Sequence, residues 1–536
     1  MRLPYLGTGA AALIALLLLC GLSAQADEAS AAAETAPEST VVGAITTKPA
    51  PPCFPIHRIE VDGAVDELRF AQHTLDARAG RCIGVAGINA LAQTLTAALL
   101  DRGFVTTRVR IPEQDLSTGT LRFEVTPGTI RAIKFDSAVH DTTWKNAFPT
   151  RPGRLLNLRD LEQGLEQMKR VPSQDVQMKI APGLRPGQSD IDLSLRETKR
   201  WKIALDVNDG GSPTTGAVQG SASIAFDNPL HLNDIVSLSL NQNVEGGVQG
   251  GTRGNTLDYS VPLGYWTLAL EESNFGFSQK IAGRSTPFTL SGTTHHGAVS
   301  LERMLYRTQR IKTSLTMRIA QNSSRNFVDD TEIDVQTRNS SYGELVLKRE
   351  ANDGRNTFNA SLGFRAGLAL FGALPDIVGA AAPPTAYYTL GTADVSAVIP
   401  IRSGKTNLRW EPHVRAQVTN DHLYISDAFS IGNRYTVRGF DGSAAIAAES
   451  GYFLRNDFVI PTASPKRSLY LGIDTGRVWG PSTAGLSGQS LTGIAIGMRG
   501  GTARATFDTA LGFGIGAPAG LRTAQPSTTI NFTYHL

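Results

Sequence analysis

Few residues in this chain stand at spacings that could do covalent chemistry. Gly404-Lys405-Thr406 has the ending of a phosphate-binding loop, but that loop needs a glycine five residues before Gly404, and position 399 is Ile. The triplet reads as a turn between strands. Gly512, Gly514 and Gly516 suggest a dinucleotide fingerprint, yet residue 517 is Ala and no strand-turn-helix pattern follows. The nine histidines include the neighbours His295 and His296 but no His-x-x-x-His on a helix, and no Gly-x-Ser-x-Gly elbow occurs. The expectation is a protein that is not an enzyme, with no cofactor and no metal site.

Cysteine chemistry is more informative. Arg2 precedes an uncharged apolar run from Ala10 to Leu22, and Ala24 and Ala26 then form an A-x-A cleavage pattern, so residues 1–26 read as a signal peptide. Leu19 is too large for a lipidation motif centred on Cys20. Cleavage removes Cys20 and leaves Cys53 and Cys82 in a chain sent to an oxidising compartment, where one disulfide is expected; two buried free thiols are the alternative. With 51 Lys plus Arg against 48 Asp plus Glu, the formal charge of +3 gives no footprint for nucleic acid. Past the signal there is no run of 18 apolar residues: the Ala-rich stretch 366–399 is broken by Pro375, Asp376, Pro383 and Pro384.

The elements that position these residues fall into three regions. Residues 27–52, rich in Ala, Thr, Glu and Pro, read as a linker without an obvious amphipathic helix. Residues 53–128 show a strand at His57–Asp62, a helix at Ile88–Asp101 with Leu91, Leu95 and Leu99 on one face, and strands at Thr106–Ile111 and Thr120–Val125. Residues 129–200 repeat the unit, with a strand at Ile130–Phe135, a helix at Arg159–Met168, and strands at Asp175–Ile180 and Asp190–Leu195.

From Trp201 the period becomes two. Trp201, Ile203, Leu205 and Val207 share one face, as do Leu408, Trp410, Val414, Ala416 and Val418. A soluble sandwich also alternates, but many of these segments exceed the usual five or six residues of a globular strand. Sixteen can be counted, at about 21 residues per strand with its share of loop, as in a transmembrane barrel. The last is Ile530, Phe532, Tyr534 and Leu536, with Thr529, Asn531, Thr533 and His535 between them. The 54 glycines fit a wall in which Gly493, Gly497, Gly500 and Gly501 relieve crowding. The fold class expected is mainly β: a 16-stranded transmembrane β-barrel over residues 201–536, preceded by two α+β modules.

Several phrases in this frame resemble the outer-membrane transporters of two-partner secretion, the TpsB or hemolysin-activator family. They are Pro52-Cys53-Phe54, Ile59-Glu60-Val61-Asp62-Gly63, Arg81-Cys82-Ile83, Gly103-Phe104-Val105-Thr106-Thr107-Arg108-Val109, Pro112-Glu113-Gln114-Asp115-Leu116 and the long run Leu156 to Glu166. The resemblance implies that the modules are periplasmic POTRA domains. It also implies that the barrel is a pore exporting a large TpsA-type partner protein, a hemolysin, adhesin or toxin, in unfolded form. Outer-membrane lipid and the barrel assembly machinery are the other partners implied. The alternative is an outer-membrane protein assembly insertase of the same superfamily. Asn433 to Phe440 resembles the tip of a long extracellular loop, within 421–450, that folds into the lumen. Its motif is Val437, Arg438, Gly439 and Phe440. Gly472 to Val478 resembles the receiving strand, with Gly472, Asp474 and Gly476 inward, and the family pairs Arg438 with Asp474. Alternation agrees, since Leu469, Leu471 and Ile473 would face lipid. A wet lumen would make this pair a modest, partly exposed one.

Overall fold

The computed structural model describes residues 53–536 apart from 64, 77, 137–141, 213, 246–249, 285, 377–382, 405, 465 and 522. The expected signal peptide, the linker and any pore-plugging helix within it lie outside the described residues.

The first module contains β1 (Cys53–Ile56), β2 (Arg58–Asp62), α1 (Phe70–Asp76), β3 (Arg81–Gly84), α2 (Val85–Asp101), β4 (Arg108–Arg110) and β5 (Thr120–Thr126). Strand β5 lies between β2, parallel to it, and β4, antiparallel. Leu91, Leu95 and Leu99 of α2 bury one stripe against Leu121 and Phe123 of the sheet, the outcome that a 3.6-residue apolar period dictates. Three elements depart from the expectation. Helix α1 offers only Ala71 and Leu75 as a buried face, too short a run to register as periodic. Strands β1 and β3 pair antiparallel, bringing Pro55 opposite Cys82, and Cys53 and Cys82 are bridged across them. The strand expected over Thr106–Ile111 contracts to Arg108–Arg110, because the chain is still turning from Gly103 to Thr107.

The second module has β6 (Thr129–Phe135), α3 (Leu158–Lys169), β7 (Gln174–Pro182) and β8 (Gln188–Glu197), with β8 central and parallel to β6. Asn157 caps α3 by accepting from the Arg159 amide at 2.8 Å. Leu161 and Met168 enter a core with Phe148, Val176, Ile191 and Leu193. Gly164 is obligatory in this packing: a methyl group there would stand 2.2 Å from the Phe148 ring.

The wall comprises β9 (Trp201–Asn208), β10 (Gln219–Asp227), β11 (Ile235–Asn243), β12 (Gly250–Leu263), β13 (Trp266–Ile281), β14 (Phe288–Arg307) and β15 (Ile311–Val328). A short β16 (Thr331–Glu332) turns back to pair antiparallel with Phe327 and Val328 at the end of β15. The wall continues through β17 (Arg338–Asn352), β18 (Thr357–Leu368), β19 (Thr389–Ser403) and β20 (Thr406–Val418). Between β20 and the next wall strand lie β21 (Phe429–Ile431) and β22 (Ile446–Ala448). The last five wall strands are β23 (Ser450–Pro461), β24 (Arg467–Trp479), β25 (Ser490–Gly501), β26 (Ala505–Gly516) and β27 (Ser527–His535). Sixteen strands thus form a closed antiparallel barrel, sealed where β27 meets β9, with Phe532 opposite Val207 and Tyr534 opposite Leu205. Closure leaves no unpaired strand edge for lipid to meet. Outward residues such as Leu205, Leu257, Val299, Leu345, Leu471 and Phe532 are exposed and apolar, the pattern of a surface whose solvent is hydrocarbon.

Helix α3 is amphipathic in a second sense, because its polar side docks on the periplasmic turns. Gln163 and Gln167 both donate to Gly264 O, at 3.3 and 3.1 Å, and Arg170 donates to Ser260 Oγ at 2.6 Å and Asn233 O at 2.9 Å. Glu166 meets Arg307 at 2.5 Å and Lys312 at 2.6 Å. Burial works against the charge of Glu166, but Lys312 and Arg307 outweigh it and hold the carboxyl below its ordinary range. Its contribution is therefore complete above the ordinary glutamate value and is lost as pH falls through the lowered one.

Two outcomes follow at this level. Protein taken from the membrane without reductant should show Cys53 and Cys82 as one linked peptide pair. Replacing both by Ser should destabilise the first module by about 3 to 4 kcal/mol through the freed 29-residue loop, as read by denaturant titration. Glu166→Gln at neutral pH should mimic acid and raise hydrogen exchange across Leu158–Lys169 several-fold; unchanged exchange would place the docking on Gln163, Gln167 and Arg170 without Glu166.

Candidate functional site

The chain between Val418 and Ser450 is the longest connection in the barrel, and it carries its own core. Strands β21 and β22 form a hairpin whose Phe429, Ile431, Ile446 and Ala448 pack with Val437 and Phe440 against Phe453, Val478 and Leu491 of the wall. Apolar residues on a loop would be costly in water; here they are buried inside the barrel, which fixes the loop in place.

The tip reaches the wall because that wall lacks side chains. A methyl group at Gly493 would stand 1.8 Å from the carbonyl oxygen of Arg438, and one at Gly472 would stand 2.3 Å from its Nη2. A methyl group at Gly476 would stand 3.0 Å from Val437, one at Gly512 2.7 Å from the Gly439 amide, and one at Gly514 2.9 Å from the Phe440 ring. Gly439 itself has φ of 96°, a left-handed conformation, and its missing Cβ would collide with Phe513 at 2.4 Å. Gly497 plays a related role, since the Tyr470 ring lies where its side chain would be, whereas Gly500 makes room for the backbone of the turn at Lys466 and Gly501 for that at Ala505.

Arg438 is the polar centre. Its Nε donates to Asp474 Oδ2 at 2.6 Å, its Nη2 to Asp474 Oδ1 at 2.7 Å, and its backbone amide to Oδ2 at 3.0 Å. The fork is bidentate, the geometry in which guanidinium meets carboxylate most strongly. Nη2 also donates to Asp457 Oδ1 at 2.5 Å, and the guanidinium lies 5.7 Å from the Tyr470 ring centroid. Arg499 approaches Asp457 at 3.8 Å, bonds Glu411, and lies over the same ring, whose hydroxyl donates to Asp508 at 2.9 Å.

This arrangement corrects the expectation of a modest, partly exposed pair: Arg438 is 4% exposed and Asp474 0%. The lumen is wet in general, but the loop tip covers its own ion pair. Such a pair contributes little net stability against a hydrophobic substitute, but removing one partner strands a buried charge at about 3 to 5 kcal/mol.

Three functional residues escaped the sequence reading. Asp457 sits on β23, one strand from Asp474, and its role follows only from register: it lies opposite Gly472. Asp209 follows β9 and accepts from Arg434 of the loop tip, from Thr528 Oγ1 at 2.8 Å and from the Ile530 amide at 2.7 Å. One carboxylate thereby ties the loop to both strands of the closing seam. Asp441 tethers the other flank, accepting from the Ala524 amide at 3.0 Å while its own amide donates to Thr523 at 3.1 Å. These partners are far apart in sequence, so no local pattern marks them. His295 and His296 point to opposite faces of β14 and contact Asn274 and Asn322 respectively. No group of three metal-ligating side chains occurs among the described residues.

Comparison with known proteins agrees with this architecture. Residues 187–500 match the family described as Haemolysin secretion/activation protein ShlB/FhaC/HecB, residues 54–128 a ShlB-type POTRA domain, and residues 129–182 a POTRA domain. The outer membrane transporter CdiB-2 of Burkholderia pseudomallei (strain 1026b) is 36% identical over 503 residues, covering 90% of this chain and 86% of that protein. The hemolysin transporter protein ShlB of Serratia marcescens is 26% identical over 456 residues, covering 83% and 79%. Solved structures of CdiB from Escherichia coli and Acinetobacter baumannii share the fold, with TM-scores of 0.82 and 0.81, each at 24% identity. Coverage is 93% of both chains for the first and 100% of both for the second. With the family match spanning more than half its length, the chain belongs to the ShlB/FhaC/HecB haemolysin secretion/activation family and is an outer-membrane transporter of two-partner secretion.

Proposed function

We propose that this pore exports one large secreted partner in unfolded form, that the POTRA modules receive it, and that the Arg438 cluster holds the lumenal loop in the conformation from which export starts. The observation that carries this reading is a long loop seated inside the lumen by a buried arginine bracketed by two carboxylates. The sequence has no complete phosphate-binding loop, so the movement draws on the client. An extended segment adds to an exposed sheet edge, β4 or β2 in the first module, β7 or β6 in the second, and folding outside makes the passage irreversible. The chain acts as a conduit and not as an enzyme. It is inserted by the barrel assembly machinery, is surrounded by outer-membrane lipid and has no nucleic-acid partner. Deleting residues 53–200 should leave an inserted, heat-modifiable barrel while partner secretion, measured by immunoblot of the medium, falls to background. General loss of other outer-membrane proteins in a strain lacking the whole chain would instead favour the insertase.

The cluster predicts an asymmetric swap experiment. Arg438→Ala should reduce secretion at least tenfold with the barrel still folded. Arg438→Asp with Asp474→Arg should not restore it, because the new acid at 438 would face Asp457. Adding Asp457→Asn to the swap should recover part of the export. Equal secretion by Arg438→Ala and wild type would refute the anchoring role.

A further inference from the structure

The outward face of β12 to β15 departs from that of β26. On β26 the outward positions from Phe507 to Ile515 are apolar apart from Thr509, whereas on β13 Trp266, Leu268 and Leu270 give way to Glu272 and Asn274. At about 3.4 Å per residue and a tilt near 40°, the polar positions begin roughly 15 Å above the periplasmic end, inside an apolar band about 25 Å tall. Neighbouring strands change higher, at about 20 to 26 Å by the same measure and so near the top of that band: Leu257 is followed upward by Asn255 and Arg253, Val299 by Gly297 and His295, and Ile319 by Gln321, Ser323 and Arg325. Register places these residues side by side, with Arg253 opposite Gly276, Asn274 opposite His295 and Thr293 opposite Arg325.

A hollow of about 1060 Å³ lies over this region, and its floor is the backbone of β9 to β15. Leu205, Val207 and Leu240 line one side, and Arg253, His295 and Arg325 the other. His295 is matched by Glu272 at 3.0 Å, and Arg325 only grazes Glu332 at 4.0 Å. Arg253 has no ion pair among the described residues. The hollow therefore presents two arginines with unspent charge, amide and hydroxyl donors between them, and an apolar flank pointing into the membrane. By the same measure the arginines stand about 26 Å or more above the periplasmic end, at headgroup level, and Leu205, Val207 and Leu240 about 10 to 16 Å above it, within the acyl-chain region.

We infer that this hollow binds the phosphorylated glycolipid of the outer leaflet, its phosphates on Arg253 and Arg325 and its acyl chains along Leu205, Val207 and Leu240. The inference rests on the outer-membrane location and is independent of whether the lumenal loop controls export. Arginine suits the task because its fork meets phosphate oxygens two at a time. Bound there, the glycolipid covers the polar notch and holds β12 to β15 against the outer leaflet.

The test uses the full mature chain in detergent and bisphosphorylated lipid A as probe, with native mass spectrometry as readout. Wild type should bind one molecule saturably. Arg253→Ser with Arg325→Ser should weaken binding at least tenfold, and the exposed-loop control Arg284→Ser should not. Dephosphorylated lipid A should bind wild type at least tenfold more weakly and show no further loss in the double variant. Arg325→Glu alone serves if the double variant is not recovered folded. Absence of saturable binding, double-variant binding equal to wild type, or equal binding of phosphatidylglycerol would overturn the assignment. So would a dimer that disappears in the double variant, which would make a second copy the occupant.

Discussion

A backbone amide facing hydrocarbon without a partner costs several kcal/mol, and this single constraint organises the molecule. It demands closure, so β27 must return to β9 across a seam that its Phe532 and Tyr534 share with Val207 and Leu205. Closure of sixteen strands creates a lumen too wide for wall side chains to fill. The connection after β20 fills it instead, bringing its own apolar core and its own arginine. The acids that receive the arginine can stand on wall strands only because they point inward. Every polar feature of the site is thus permitted by the same closure that keeps the outside apolar.

The loop in turn makes its site dry. Asp474 on a bare strand would be solvated and ordinary; under the tip it has no exposure and accepts three bonds from one residue. Glycine is the means of approach, since Gly472, Gly493 and Gly512 each stand where a side chain would hold the tip away. The abundance of glycine in the composition is therefore partly a property of one lumenal surface, and the Asp209 contact with Ile530 and Arg434 extends that surface to the seam.

Much of this was legible from sequence because period two sustained beyond a globular strand's length has few other physical explanations. The sixteen segments, the inward set at Gly472, Asp474 and Gly476, and the helices with Leu91, Leu95, Leu99 or Leu161 and Met168 follow from periodicity. Short elements did not: α1 and the β1/β3 pair are too brief to show a period, and their stability comes from the packed module and its cross-link. Burial at Arg438 was misjudged for a different reason. Whether an ion pair is wet depends on what covers it, and the cover is a segment thirty-six residues from Asp474 that no local window contains. Asp457 and Asp209 were invisible on the same ground.

The joint beneath the barrel has a kinetic meaning. Gln163 and Gln167 grip a main-chain carbonyl of the β12/β13 turn, and the Leu158 amide donates to Gly103 O at 2.8 Å, so barrel, second module and first module are linked through short backbone contacts. A chain captured on either module's sheet edge, as proposed, would consequently be held at a fixed reach from the lumen's mouth. Its encounter with the pore becomes intramolecular, set by an effective concentration that reaches the millimolar range for short tethers, and no longer depends on how dilute the free chain is in the periplasm.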